Sequence, residues 1–160
     1  MEIYDSLLGA VCDEYDRVTL IKKSERGEVT LIRHRASGNR YIFRHFSGSS
    51  EVYRKLLTVS CPNLPQIMEV GEKEGKTALL EEYVQGDTLG EILQGGLLTA
   101  AQAKQIARQL CMALWVLHSL GVVHRDVKPD NVIIRGTEAV LIDFDASRIY
   151  KNENIQLYSP

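Results

Sequence analysis

The chain of 160 residues has few cysteines, no excess of charge of either sign and no long apolar run. Its three cysteines (Cys12, Cys61 and Cys111) are odd in number and widely separated, which argues against a disulfide framework or a zinc site. No apolar run approaches the roughly 20 residues that span a bilayer, and the acidic start Met1–Asp5 lacks the basic segment of a secretory signal. With a net charge of -2, the chain has no global field that attracts nucleic acid. We therefore expect a cytoplasmic globular protein with reduced thiols and with neither nucleic acid nor membrane as a partner.

Positive charge is concentrated near the start of the chain. Residues 17–55 carry ten lysines and arginines but only three acidic residues. A solvated basic face is the common explanation for such a segment. A surface that faces polyanionic phosphates is a more specific explanation. Nucleic acid is a weaker third alternative, because aromatic residues do not alternate with the basic ones as stacking platforms require.

The first half of the chain has the composition of a small sheet. Short runs rich in Val, Ile, Thr, Tyr and Phe are separated by turn-forming residues, which predicts antiparallel strands. One segment between them has apolar residues at helical spacing. We expect residues 1–84 to form one unit, with strands at Val18–Lys23, Glu28–Arg35, Arg40–Phe46, Gln66–Glu72 and Thr77–Tyr83 and a helix at Ser49–Thr58.

The second half, residues 85–160, begins after the short linker Gln85–Gly86 and is richer in helix. Thr99 and Gln102 form a capping-box pattern at the start of a long helix. Apolar residues repeat along one face of that helix at Ile106, Leu110, Leu114 and Leu117. We expect helices at Thr88–Gln94 and Thr99–Leu120, short strands at Val132–Arg135 and Ala139–Ile142, and an irregular tail from Asp145 onward. The fold class is therefore α+β.

A polar loop in this second half carries residues suited to phosphoryl transfer. Asp126 can accept a hydroxyl proton, and Lys128, two residues later, can meet a transferring phosphoryl group. Asn131 and Asp143 offer hard oxygen ligands of the kind that Mg²⁺ prefers. Phosphoryl transfer depends on such positioning and charge neutralisation, with little covalent chemistry from the protein.

The residues His124–Asn131 and Asp143–Asp145 carry a family resemblance. The first segment matches the pattern H-R-D-L-x-x-x-N except for Val127, and the second matches two of the three residues of D-F-G. The chain thus resembles the eukaryotic-type (Hanks-type) protein kinases, and Lys128-Pro129 is typical of the serine/threonine branch. The resemblance implies a bilobal fold with a five-stranded antiparallel N-lobe and a truncated helical C-lobe.

The resemblance also implies a reaction: phosphoryl transfer from ATP, with Mg²⁺, to a protein hydroxyl. Asp126, Lys128 and Asn131 then stand at catalytic positions, and Asn131 and Asp143 at metal-binding positions. The implied nucleotide contacts are Ile21, Gly27 and Val29 near the glycine-rich loop, Ile42, Arg44 at the usual lysine position, its partner Glu51, the hinge residues Glu82 and Val84, and Ile133. Lys22 or Lys23 is an alternative source of the ammonium group.

Several residues depart from the family pattern. Arg44 replaces the lysine, only Gly27 remains of three glycines, Glu81 occupies the usually apolar gatekeeper position, and Asp145 replaces the glycine after Phe144. These departures favour a second hypothesis, a pseudokinase or regulatory nucleotide-binding module. A small-molecule phosphotransferase is a third alternative, disfavoured by Lys128-Pro129.

The chain stops before the A-P-E motif and the later helices of the family. Three explanations stay open: a fragment of a longer kinase, a natural minimal form, or a chain completed by a partner or by a second copy. Because the missing helices normally cover the long helix, its apolar face is a candidate surface for self-association.

Overall fold

A computed structural model of the chain describes residues 2–150, so the tail beyond Tyr150 lies outside the described residues. The strand-rich part contains α1 (Ile3–Glu14), β1 (Tyr15–Ser24), β2 (Gly27–His34), β3 (Arg40–Ser47), α2 (Glu51–Leu56), β4 (Ile67–Lys73) and β5 (Lys76–Glu82). The helix-rich part contains β6 (Asp87–Thr88), α3 (Leu89–Gln94), α4 (Ala100–Ser119), β7 (Val122–Val123), a 3₁₀ turn (Pro129–Asn131), β8 (Val132–Arg135), β9 (Glu138–Leu141) and β10 (Arg148–Ile149).

The five predicted strands form one antiparallel sheet in the order β1-β2-β3-β5-β4. The prediction was wrong in three places. Helix α1 was not predicted, α2 has only six residues where a longer helix was expected, and Arg148–Ile149 pairs with β7 although the tail from Asp145 was expected to be irregular. These differences matter for function, because the short α2 and the segment around Asp145 border the cleft between the two parts.

Helix α1 covers the outer face of the sheet. Its buried residues Tyr4, Leu7 and Val11 recur at helical spacing and pack against a cluster of strand residues. An added side chain at Gly71 would come within 2.4 Å of the Tyr4 backbone nitrogen, so helix and β4 lie in close contact. The partners of α1 on the sheet are Ile32, Phe43, Ala78 and Leu80.

The inner face of the sheet joins the main core, which continues into the helix-rich part. Residues from α2, β4, β5, α4, β7 and β9 belong to one buried cluster that includes Tyr53, Leu79, Leu117, Leu141 and Phe144. Since opposed residues of antiparallel strands share a face, the pairs Val29/Arg44 and Ile42/Glu81 also lie on this inner side. The sheet thereby presents two charged residues to the cleft.

Helix α4 begins at the predicted capping box, in which the Gln102 amide donates to Thr99 Oγ1 at 3.2 Å. The predicted apolar face packs on the core: Leu117 is fully buried, and Ile106, Leu110 and Leu114 are partly buried. The exposed apolar surface lies elsewhere on the helix, at Met112 (49% exposed) and Trp115 (69%). Self-association stays a prediction, but the face predicted for it packs on the core. Within residues 2–150, no helix is both long enough and apolar enough to cross a membrane.

We predict that Leu7→Ala in α1 lowers the free energy of unfolding by about 2–5 kcal/mol, because it leaves a cavity between helix and sheet. Gly9→Ala in the same helix is the control. An added side chain at Gly9 meets no atom within 4 Å, and alanine stabilises a helix by about 0.5–1 kcal/mol relative to glycine. Urea unfolding measures both. Equal stability of the wild type and Leu7→Ala would contradict the packing of α1 on the sheet.

Candidate active site

The loop after β7 is anchored by a buried histidine. His124 Nε2 lies 2.9 Å from the Ile142 carbonyl oxygen, and the Asp126 amide donates to His124 Nδ1 at 3.2 Å. Because Nδ1 accepts a bond, Nε2 carries the ring proton and donates it to Ile142. The Ser147 hydroxyl also donates to the His124 carbonyl oxygen at 3.1 Å. His124 therefore ties the loop to the strand that precedes Asp143.

Asp126, Lys128 and Asn131 are brought together by hydrogen bonds within this loop. Asn131 Nδ2 donates to the Asp126 backbone oxygen at 2.9 Å and to Asp126 Oδ2 at 3.0 Å. Lys128 Nζ lies 3.5 Å from the same carboxylate oxygen. The Asn131 amide nitrogen is thus committed to Asp126, which leaves Asn131 Oδ1 as its oxygen donor toward a cation.

Asp143 follows β9 in an unusual backbone conformation. Its φ angle is +65°, and Arg125 in the preceding loop has a φ of +70°. Residues other than glycine adopt this region at an energetic cost, and such positions cluster at functional sites. The Ile142 amide donates to the Asn131 carbonyl oxygen at 2.9 Å, which holds the two loops side by side.

Phe144 anchors the segment that carries Asp143. Its ring is buried and packs edge-on against Tyr53 of α2, with ring centroids 6.2 Å apart, and against His124 at 5.6 Å. The Asp145 amide donates to Asp143 Oδ1 at 3.1 Å. Phe144 therefore joins α2, the loop after β7 and the acidic segment into one packed unit.

The oxygen donors fit a magnesium ion. Mg²⁺ is commonly held by one or two protein oxygens together with phosphate and water, and Asn131 and Asp143 supply one amide and one carboxylate. Across residues 2–150, no cluster of three or more His, Cys, Asp or Glu residues could hold a metal by itself.

Arg44 forms a buried ion pair with Glu81 of β5, which lies two residues along from Leu79, the residue opposite Arg44. Arg44 Nε lies 2.7 Å from Glu81 Oε2, and the side chains are only 8% and 3% exposed. Burial lowers the pKa of the Arg44 guanidinium, but the charge and hydrogen bond of Glu81 together with the nearby Tyr53 and Asp145 outweigh burial, so the net pKa is raised. The sequence offered a signal for this pair: a glutamate within the apolar strand Thr77–Tyr83 requires a buried cationic partner.

The predicted pairing of Arg44 with Glu51 is not formed. Among the described residues, Arg44 pairs with Glu81 and with Asp145, whereas Glu51 is exposed at the first position of α2. The physical reason is the shortness of α2, in which Tyr53 is the buried residue that faces Phe144. The Tyr53 hydroxyl has no hydrogen-bond partner within residues 2–150, and burial raises its pKa.

Asp145 and Lys22 form a contact between the two parts of the chain. Lys22 Nζ of β1 lies 2.8 Å from Asp145 Oδ2, and Arg44 Nη1 lies 3.5 Å from Asp145 Oδ1. Burial raises the pKa of Asp145, but the hydrogen bond from Lys22 and the charge of Arg44 outweigh it and lower the pKa. The hydrogen bond with Asp145 raises the pKa of Lys22. The Asp145 carboxylate therefore forms ion pairs with two cations.

The predicted nucleotide contacts separate into two groups. Gly27, Val29 and Arg44 line a cavity of about 450 Å³ that also touches Lys22, Tyr53, Phe144 and Asp145. The other predicted contacts (Ile21, Ile42, Glu51, Glu82, Val84 and Ile133) lie outside this cavity. It is bordered by the hairpin of β1 and β2, by α2 and by the segment after Asp143.

Gly27 and Glu82 are constrained by contacts of their own. An added side chain at Gly27 would lie 2.2 Å from the His45 carbonyl oxygen, so glycine is needed there for close packing of β2 on β3. The Glu82 amide donates to the Gln66 carbonyl oxygen at 2.8 Å. The Glu82 carboxylate pairs with Arg135 of β8.

Comparison with known proteins agrees with this geometry. The family model for the protein kinase domain matches residues 17–159, so α1 precedes the match. The chain is 35% identical over 100 residues to serine/threonine-protein kinase pkn2 of Myxococcus xanthus, covering 60% of this chain and 12% of the relative. It is 38% identical over 85 residues to serine/threonine-protein kinase D of Synechocystis, covering 52% of this chain and 16% of the relative.

Solved structures show the same fold. The crystal structure of Rad53 1-466 in complex with AMP-PNP aligns with a TM-score of 0.71 and 22% identity, covering 84% of this chain and 39% of that one. The matched part of the chain covers only 12% and 16% of the length of the two curated relatives from Myxococcus xanthus and Synechocystis. The matched region of 143 residues contains the five-stranded sheet, the loop with the buried histidine and the acidic segment. Because this match covers most of the chain, the chain belongs to the protein kinase domain family.

Proposed function

We propose that the chain is the catalytic part of a serine/threonine protein kinase and transfers the γ-phosphoryl group of ATP to a protein hydroxyl. The observation that carries this proposal is the bonded group of Asp126, Lys128 and Asn131, held within 3.5 Å of one another and beside Asp143. These are the groups that phosphoryl transfer requires: a proton acceptor, a cation and oxygen ligands for a metal. The names of the relatives support the choice of a protein substrate.

In this proposal Asp126 orients the acceptor hydroxyl and takes its proton. Asn131 holds Asp126 Oδ2, so the carboxylate has a fixed orientation and presents Oδ1 to the substrate. Lys128 is half exposed and is close enough to offset negative charge on the transferring group. Asn131 and Asp143 would hold Mg²⁺, which neutralises charge on the β- and γ-phosphates when it is bound.

The nucleotide would lie under β1 and β2. Ile21, Val29, Ile42 and Ile133 would pack against the adenine, and the Glu82 carbonyl and the Val84 backbone would meet its polar edge. Arg44 would face the α- and β-phosphates from its fixed place beside Glu81. A cytoplasmic location and the status of the chain as a fragment or minimal form stay predictions from the sequence.

A nucleotide-binding module without phosphoryl transfer is a second candidate. The specific observation that favours it is that Arg44 already forms ion pairs with Glu81 and Asp145. These carboxylates neutralise part of its positive charge and so weaken its attraction for phosphates. Saturable Mg-ATP binding with no transfer, in the wild type and in Asp126→Asn alike, would support this candidate.

We predict that Asp126→Asn reduces phosphoryl transfer by about 10²–10⁴-fold, the usual contribution of a general base, while Mg-ATP binding stays within twofold. Transfer is measured with labelled ATP and a generic basic protein, and binding by calorimetry. Asp87→Asn is the control, since Asp87 is an exposed acidic residue of β6. Unchanged transfer in Asp126→Asn would overturn the assigned role.

We predict that Arg44→Met lowers the free energy of unfolding by about 3–5 kcal/mol, because it leaves the Glu81 carboxylate buried without a partner. The double variant Arg44→Met/Glu81→Leu should recover most of this loss, since it removes both buried charges. Urea unfolding measures both variants. Equal destabilisation by the single and double variants would show that the pair is not a coupled unit.

A further inference from the structure

Two of the cations that line the cavity beneath the β1–β2 hairpin, Lys22 and Arg44, are each paired with a carboxylate of the protein. Arg44 is bonded to Glu81 and reaches Asp145, and Lys22 is bonded to Asp145. Two positive and two negative side chains therefore form one neutral group, and three of them, Lys22, Arg44 and Asp145, line the 450 Å³ cavity. A triphosphate that binds Lys22 or Arg44 in this region competes with these carboxylates.

The two cations differ in their freedom to move. Arg44 is 8% exposed, and its departure from Glu81 would leave a carboxylate buried with no charge partner, which is costly. Lys22 is 52% exposed and lies on β1, the edge strand of the sheet, with Asp145 as its ion-pair partner among the described residues. Ion pairs between partly exposed side chains are weak, so Lys22 is the cation that exchanges partners readily.

The position of Asp145 supports such an exchange. Its amide is bonded to Asp143 Oδ1, so its carboxylate lies next to the proposed metal ligand. It also lies between Lys22 and Arg44, at 2.8 and 3.5 Å. An anionic group in contact with both cations and beside the metal ligand occupies the region into which the nucleotide phosphates would enter.

We propose that Lys22 is the phosphate-binding cation of this site and that Asp145 is its internal counter-ion, which gives up Lys22 when the nucleotide phosphates bind. Arg44 remains on Glu81 throughout and contributes a fixed positive potential. The inference rests on the proposed function, because it names the residue that holds the phosphates in that reaction. Asp143 is the other acidic group close enough to act on Lys22.

The exchange lowers the apparent affinity for nucleotide. While Asp145 holds Lys22, only the fraction of molecules with Lys22 released is competent to bind phosphate through it, and the apparent Kd rises in proportion. The Lys22–Asp145 contact also links β1 to the segment after Asp143, so it joins the two parts of the chain without nucleotide.

The test is to measure by calorimetry the dissociation constants of Mg-ADP and of a non-hydrolysable Mg-ATP analogue. The wild type is compared with three single variants and one double variant. Lys22→Met should weaken binding of the analogue at least tenfold. Lys104→Met is the control, since Lys104 lies on α4 outside the cavity, is exposed and forms no ion pair within residues 2–150; it should change Kd less than twofold. Asp145→Asn should tighten binding at least threefold, and this gain should vanish in Lys22→Met/Asp145→Asn.

The outcomes separate this inference from the proposed function. Wild-type binding that Lys22→Met leaves unchanged would overturn the role of Lys22 while the proposed kinase function stands. Absence of binding in the wild type together with binding by Asp145→Asn would support Asp145 as the counter-ion that excludes nucleotide. Absence of binding in both would overturn the inference and the proposed function together. Thermal unfolding of each variant without nucleotide verifies that it is folded.

Discussion

The buried ion pair between Arg44 and Glu81 is the constraint on which the cleft depends. Two charges on the inner face of an otherwise apolar sheet are tolerable only in contact with each other. A shift of either strand by one residue would move one charge to the opposite face. The pair therefore restricts the register of β3 against β5, in which Ile42 faces Glu81. It also fixes Arg44 at the position where Asp145 reaches it from the other part of the chain.

The site contains groups that are fixed by their contacts and one group that can move. Asn131 holds Asp126 by two hydrogen bonds, and Phe144 packs the acidic segment against His124 and Tyr53. Arg44 is equally fixed, but its charge is largely balanced by Glu81. Lys22 is the half-exposed cation beside it and is bonded to a carboxylate that comes from a different segment. The departures from the family pattern at Arg44, Glu81 and Asp145 are thus one interacting group rather than three separate losses.

The sequence predicted the features that local patterns encode. Alternating and β-branched residues located all five strands, and the capping box located the start of α4, because these signals act within a few residues. The partner of Arg44 was missed for a different reason: Glu81 is 37 residues away, and only the register of two strands brings them together. Helix α1 was missed although Tyr4, Leu7 and Val11 repeat at helical spacing, because the sheet face that buries them forms later in the chain.

The most direct test is a crystal structure of the chain with Mg²⁺ and a non-hydrolysable ATP analogue. The account predicts Mg²⁺ bound to Asn131 and Asp143, Lys22 Nζ within hydrogen-bond distance of a phosphate oxygen, Asp145 separated from Lys22, and Arg44 still bonded to Glu81. A nucleotide bound elsewhere, or phosphates held by Arg44 after it has left Glu81 while Lys22 stays on Asp145, would contradict it.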